Sequence, residues 1–311
     1  MARARRSTFG EVAREYLERH AKPRKRSWRE DQRILERDVL PRWGGRRARS
    51  ITARDVRRLL DDIVARGAPI QANRTLALVR RMFNWAAAPD RALVLPHHNP
   101  CRGLEPPAPE RQRERVLGAA ELRAIWRALD GEPAPNAALF RLYLLTAQRG
   151  GELRTMAWAD VDLDAAWWII PGERSKNGRS HRVPLSPPAV AILRELWRAR
   201  TRDVRWVFPT PRGSASGYRE RIYKVVDRLR RATGIADFTP HDLRRTAASH
   251  MTSMGIPRDT VAKLLNHRER GVTAVYDRYG YDREKREAVG LWAARLEEIA
   301  RGESSRSIGF R

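Results

Sequence analysis

Cysteine is nearly absent: Cys101 is the one thiol in 311 residues. A single thiol excludes an intrachain disulfide framework and a cysteine-rich zinc site, and it fits a reducing compartment. Long apolar runs are missing as well. The stretch around Leu139–Ala147 is broken by Arg141 and is far too short to span a bilayer. The N-terminus, M-A-R-A-R-R, lacks the apolar segment of a secretory leader. These absences predict a cytoplasmic protein with no membrane association. The chain also has no glycine-rich phosphate loop, no dinucleotide fingerprint and no H-E-x-x-H. Asp160, Asp162 and Asp164 could open a calcium loop only with glycine at position 165 and glutamate at 171, where the chain has Ala165 and Pro171. No metal and no cofactor are expected.

Acidic residues are few beside basic ones: 37 Asp and Glu against 63 Lys and Arg, a net charge of +26. That excess is far beyond what solubility needs and points to a polyanion, most simply double-stranded DNA. The basic residues are spread along the whole chain, so both halves are expected to touch the partner. The length suits two domains, and 41% hydrophobic residues permit a packed core.

Residues 1–7 read as a basic tail. From Thr8 the pattern is helical, with Phe9, Val12, Tyr16 and Leu17 at 3–4 spacing and Pro23 as a breaker. Trp28–Leu40 reads as a second helix, stopped by W-G-G at 43–45. A third opens after Thr52, with Asp55 three residues on, and ends at Gly67 and Pro69. A fourth covers 71–88, where Asn73, Arg74, Arg80, Arg81 and Asn84 are candidates for DNA contact. Residues 8–95 therefore form a four-helix domain. Residues 96–117, rich in proline and charge, read as an extended linker. Residues 118–311 form a second, mostly helical domain. In it, 166–170 (A-W-W-I-I) and 180–185 read as strands, with Asn177-Gly178 as the turn signal between them. Residues 284–301 close the chain as an amphipathic helix.

Three boxes in this second domain carry chemistry. The first is L-L-T-A-Q-R-G-G-E-L, with Arg149 and Glu152. The second is G-E-R-S-K-N-G-R-S-H-R-V-P-L-S, with Lys176 seven residues before Val183. The third is T-P-H-D-L-R-R-T-A-A-S-H-M followed by L-L-N-H-R-E-R-G-V-T-A-V-Y-D-R-Y, with His241, Arg244, His267 and Tyr276. Thr239-Pro240 reads as a helix start, which puts His241 and Arg244 on one face near free backbone N–H groups that suit an anion. Each box alone is weak. An arginine is more often a surface ion pair, a lysine in a turn merely polar, a histidine a satisfied core residue.

In order and spacing the set resembles the active site of the tyrosine recombinases, the phage-integrase family. The resemblance spans roughly residues 139–300. It implies a mainly α fold: an N-terminal four-helix core-binding (SAM-like) domain, then a mixed, mostly helical catalytic domain with a small antiparallel sheet. It implies a site-specific recombinase, an integrase of a mobile element. Such an enzyme cuts and rejoins DNA through a 3′-phosphotyrosyl intermediate, without metal or ATP, as a homotetramer on DNA. An accessory DNA-bending or directionality factor is a possible partner. Arg149 and Arg244 would hold the phosphate oxygens, and Lys176 would protonate the 5′ leaving oxygen. His241 would handle the tyrosine proton or bond the phosphate, His267 would bond a phosphate oxygen, and Glu152 would orient Arg149 or His241. On the residues alone Tyr279 or Tyr281 could be the nucleophile; the family's nine-residue interval after His267 selects Tyr276. Two departures stand out: Ala147 and Asn266 occupy positions where the family usually has glycine. Asn266 and the ending D-R-Y-x-Y…W-A look like the P4-type integrases, though without an evident arm-binding domain. Rival readings are a non-cleaving DNA-binding regulator or decayed integrase, and type IB topoisomerase-like strand passage. The 284–301 helix is expected either to reach a neighbouring subunit or to pack on its own domain.

Overall fold

The structure, a computed structural model, describes residues 7–91, 93–95, 97–110, 113–210, 217–220, 222–267 and 279–303. The chain divides into two units, residues 1–113 and 114–311.

In the first unit Thr8 starts helix α1 (Phe9–Tyr16). Its hydroxyl accepts from the Glu11 N–H while Glu11 accepts from the Thr8 N–H, a reciprocal cap. α1 runs on through a π-helical turn at Leu17–Ala21 into Lys22–Arg24, so Pro23 lies within the helical path. Pro23 is the second residue of that last piece, which ends one residue later at Arg24. Helix α2 (Trp28–Ile34) likewise passes through a π-helical turn, Leu35–Val39, into Leu40–Trp43. Helix α3 (Ala53–Ala65) is capped by Thr52 and Asp55, as its sequence predicts. Helix α4 (Pro69–Ala86) begins two residues before the predicted start, because Pro69 presets the first-turn φ. The four helices bury Phe9, Tyr16, Leu35, Leu59, Val79 and Phe83 between them, about 1.5–3 kcal/mol for each large side chain.

Two expectations fail in this unit. Residues 99–110 do not run as a free linker, because polar groups of α4 capture their backbone. Arg80 donates to the Cys101 and Leu104 carbonyls, and Asn99 donates to the Arg80 carbonyl and to Asn84. Asn73 donates to the Ala108 carbonyl and accepts the Ala108 N–H, at 2.8 and 3.1 Å. Cys101 is wholly buried in this packing, and burial pushes its thiol up to about 12. Asn73 and Arg80 are thereby committed to the fold and are corrected as DNA-contact candidates, whereas Arg74, Arg81 and Asn84 stay exposed.

The second unit is built on helix α6 (Ala134–Thr146), which is buried on nearly every side from Asn136 to Thr146. Helix α5 (Ala119–Ala128) precedes it and the short helix α7 (Gly150–Arg154) follows it. A three-stranded antiparallel sheet comes next: β1 (Val161–Asp162), β2 (Trp167–Ile170) and β3 (His181–Pro184), with Trp168 opposite Val183. β1 was not foreseen, since two residues carry no periodicity. Asn177-Gly178 does not close a two-residue hairpin; it lies inside a longer loop, where Gly178 takes φ 78°. Helices α8 (Pro187–Ala199), α9 (Tyr223–Thr233), α10 (Pro240–Ser253), α11 (Arg258–Leu264) and α12 (Asp282–Arg301) complete the unit. α12 packs on its own domain. Ala288, Val289, Trp292, Leu296 and Ile299 are buried, and the Trp292 indole donates to the Leu144 carbonyl at 2.7 Å.

Candidate active site

The site gathers at the C-terminal end of α11. A helix leaves its last carbonyls without intrahelical partners, and they carry the negative end of its dipole. Here α11 closes in a Schellman turn. The His267 N–H bonds the Ala262 carbonyl, and the Asn266 N–H bonds the Lys263 carbonyl. That turn requires a left-handed residue, and Asn266 supplies it at φ 51°. Asparagine tolerates this region better than most residues, which explains why it can stand where glycine is usual. The turn also sets His267 just past the helix end.

The carbonyls left over are taken by side chains from distant segments. Leu264 accepts from Gln148 Nε2 at 3.0 Å and from His181 Nε2 at 2.9 Å. Leu265 accepts from Arg244 Nη2 at 2.6 Å, and Asn266 accepts from Arg149 Nη2 at 3.3 Å. Arg244 reaches there from the first turns of α10, where the Thr239 N–H and hydroxyl both donate to the Asp242 carboxylate. Its other terminal nitrogen donates to the Ala147 carbonyl at 2.8 Å, and Nη2 lies 3.4 Å from His267 Nε2. Ala147 ends α6 in the left-handed region, φ 53°, and so turns the chain towards Arg149. Arg149 is the N-cap of α7. Glu152, buried, accepts from its N–H and from its Nη1.

Lys176 sits in the β2–β3 loop with its side chain exposed and its N–H on Glu152 Oε1 at 3.2 Å. His241 is exposed at the start of α10, whereas Arg244, one turn on, is buried; the expected shared face is therefore split by depth. Tyr276 lies outside the described residues. Tyr279 is exposed and its hydroxyl bonds Glu284. The turn carboxylates are engaged: Asp160 pairs with Arg174, Asp162 accepts the Asp164 and Ala165 N–H groups, and Asp164 faces Arg194.

Electrostatically the site is over-supplied with cations. Burial, then the charge of Arg149, with Glu152 opposing, lowers the Arg244 guanidinium to about 9; it stays charged at neutral pH. His267 is lowered by burial, then by Arg244 and Arg149. His241 is lowered by partial burial, then by Arg245 and Arg244, with Lys176 adding to the effect. Two guanidiniums and two imidazoles thus crowd together with Glu152 as the carboxylate bonded among them. Such a cluster suits an anion, and paired guanidiniums suit phosphate.

The phage integrase family pattern matches residues 115–283, and the phage integrase central domain pattern matches residues 9–103. The chain belongs to the phage integrase family. Prophage integrase IntZ of Escherichia coli is 30% identical over 273 residues, covering 86% of this chain and 65% of the relative. Tyrosine recombinase XerA of Pyrococcus furiosus is 24% identical, covering 74% and 77%. The chain spans less than two thirds of the E. coli prophage integrases IntZ and IntA, 65% and 63% of their lengths. Among solved structures, a lambda integrase dimer bound to a COC′ core site superposes with a TM-score of 0.66 at 18% identity, covering 85% of this chain and 96% of the other. A lambda integrase tetramer bound to a Holliday junction scores 0.66 at 19% identity, covering 85% and 78%. These likenesses show the fold.

Four residues of the site escaped the sequence reading: Gln148, His181, Asn177 and Asn266. Asn266 carried a signal as a departure from glycine and Asn177 as a turn residue; Gln148 and His181 carried none.

Proposed function

We propose that this family member is a site-specific DNA recombinase that breaks and rejoins strands through Tyr276. The observation that carries the reading is the convergence of Arg149, Arg244 and His267 on the end of α11, with the Lys176 loop tied to the same turn through Asn177 and His241 at the start of the helix that carries Arg244. In the proposed step the Tyr276 oxygen attacks a backbone phosphorus, and a P–O(Tyr) bond forms as the P–O5′ bond breaks. The 5′-oxygen leaves with a proton from Lys176, and the phenolic proton passes towards His241. Arg149 and His267 contact the non-bridging oxygens, and Arg244 beneath them holds positive charge where negative charge grows. A phenol near pKa ~10 needs that surrounding charge to lose its proton at neutral pH. The phosphotyrosyl bond stores the phosphodiester, so a partner strand's 5′-hydroxyl reverses the step. A homotetramer on two duplexes fits that exchange, and the lambda integrase tetramer on a Holliday junction supports it.

Covalent capture tests the proposal. Protein and source DNA are mixed, denatured in detergent, and the protein-linked ends are sequenced. Adducts at one or two sequences, absent with Tyr276→Phe and persisting in chelator, are expected. Adducts persisting in Tyr276→Phe would move the nucleophile to Tyr279 or Tyr281. DNA binding without any adduct would make the chain a non-cleaving binding protein.

A further inference from the structure

Lys176 is exposed, yet the loop that carries it is pinned on both sides. Ser175 is wholly buried and its hydroxyl donates to Asn177 Oδ1 at 2.8 Å. Asn177 Nδ2 donates to Asn266 Oδ1 at 2.7 Å and to the Asn266 carbonyl at 3.2 Å. Asn266 Nδ2 returns to the Ser175 hydroxyl at 3.1 Å. The Lys176 N–H is on Glu152. The loop is also closed on itself: a Cβ at Gly172 would lie 2.7 Å from the Gly178 carbonyl oxygen. The residues on either side of Lys176 are therefore tied to the Schellman turn that presents His267. A lysine on a free loop must be ordered at each turnover; one on a tethered backbone needs only its side chain to settle.

We propose that Asn177 and Asn266 form a side-chain latch that presets the Lys176 loop for proton donation. This rests on the reading of Lys176 as the general acid. The two amides are positioning residues, acting through the backbone that holds the lysine. Asn266 serves twice: its left-handed backbone shapes the turn, and its side chain fastens the loop. Glycine at this position would keep the first role and lose the second.

The two roles can be separated. Asn266→Gly keeps the left-handed conformation and the carbonyl that accepts from Arg149, so the fold is retained. Asn177→Ala removes the other half of the latch. Each is assayed for single-turnover cleavage of a duplex bearing the captured site, in two forms. One has the natural 5′-oxygen. The other has a 5′-bridging sulfur, which leaves as a thiolate and needs no proton. On the oxygen substrate both variants should be slower by roughly tenfold or more, within the range general-acid catalysis supplies. On the sulfur substrate they should match wild type. The double variant should be no slower than the worse single one, as expected for two halves of one contact.

Lys176→Ala is the reference. If sulfur restores Lys176→Ala but not the asparagine variants, the latch is wrong while the lysine reading stands. If sulfur fails to restore Lys176→Ala, the lysine reading itself falls. Asparagine variants that cut the oxygen substrate at the wild-type rate would also refute the latch.

Discussion

Gly150 shows how closely the arginine of the site is set. It is the first residue of α7, directly after Arg149, and a Cβ there would lie 1.8 Å from the Tyr143 hydroxyl oxygen. Tyr143 is buried on α6 and cannot swing aside without disturbing the core. Gly150→Ala should therefore push the start of α7 away and carry Arg149 with it. A displacement near 1 Å can cost on the order of 100-fold in rate, and overpacking about 1–3 kcal/mol in stability. Adding Tyr143→Phe removes the nearest atom and should restore part of both. Cleavage rates and denaturant midpoints of the single and double variants check this; no recovery in the double variant would mean the clash is relieved elsewhere. At this scale the sequence was most legible where chemistry fixes the residue type. Arginine, lysine and histidine at set intervals drew attention in the sequence because phosphate chemistry asks for those residue types. The site roles of Gln148, His181 and Asn177 did not, because they lie in bonds to residues 116, 83 and 89 positions away.

Between elements, His181 is the tie from β3 to α11. Its Nε2 faces the Leu264 carbonyl, so that nitrogen carries a proton. Burial, opposed by the Leu264 carbonyl and helped by Lys285, Arg244 and Arg149, lowers its pKa to about 4. The unfolded chain takes up a proton near pH 6.5, while the folded chain resists until about pH 4. The stabilisation is thus complete above pH 6.5 and is lost as pH falls through that window, about 3 kcal/mol in total. Urea midpoints from pH 7 to 4.5 should fall more steeply for wild type than for His181→Gln. Parallel curves would show that His181 does not titrate with unfolding. Elements themselves were legible where local rules act: the Thr52–Asp55 cap of α3 and the apolar stripe of α12 appear as written. The docked segment 99–110 was not, because Asn73 and Arg80 bind its backbone, and backbone carbonyls leave no mark in a sequence.

Over the whole molecule the +26 charge is a poor guide to which arginines would meet the proposed DNA partner. Many are spent inside the protein: Arg46 on Asp55, Arg228 on Glu132, Arg182 on Asp282, Arg80 on two carbonyls. Those already paired release few counterions when a duplex binds. The salt dependence of binding counts the cations that do meet phosphate, since the slope of log K against log [salt] is about −0.9 per phosphate neutralised. Arg74 and Arg80 stand six positions apart on α4, one exposed and one committed to the fold. Arg74→Ala should lower the steepness of the slope by about 1 and leave the melting temperature unchanged. Arg80→Ala should leave the slope alone and lower the melting temperature, because segment 99–110 loses its hold. Fluorescence anisotropy with a labelled duplex, titrated between roughly 50 and 200 mM salt, measures the first quantity, and thermal unfolding the second. The reverse pattern would place Arg80 on the DNA, and the bonds to Cys101 and Leu104 would then have to break on binding.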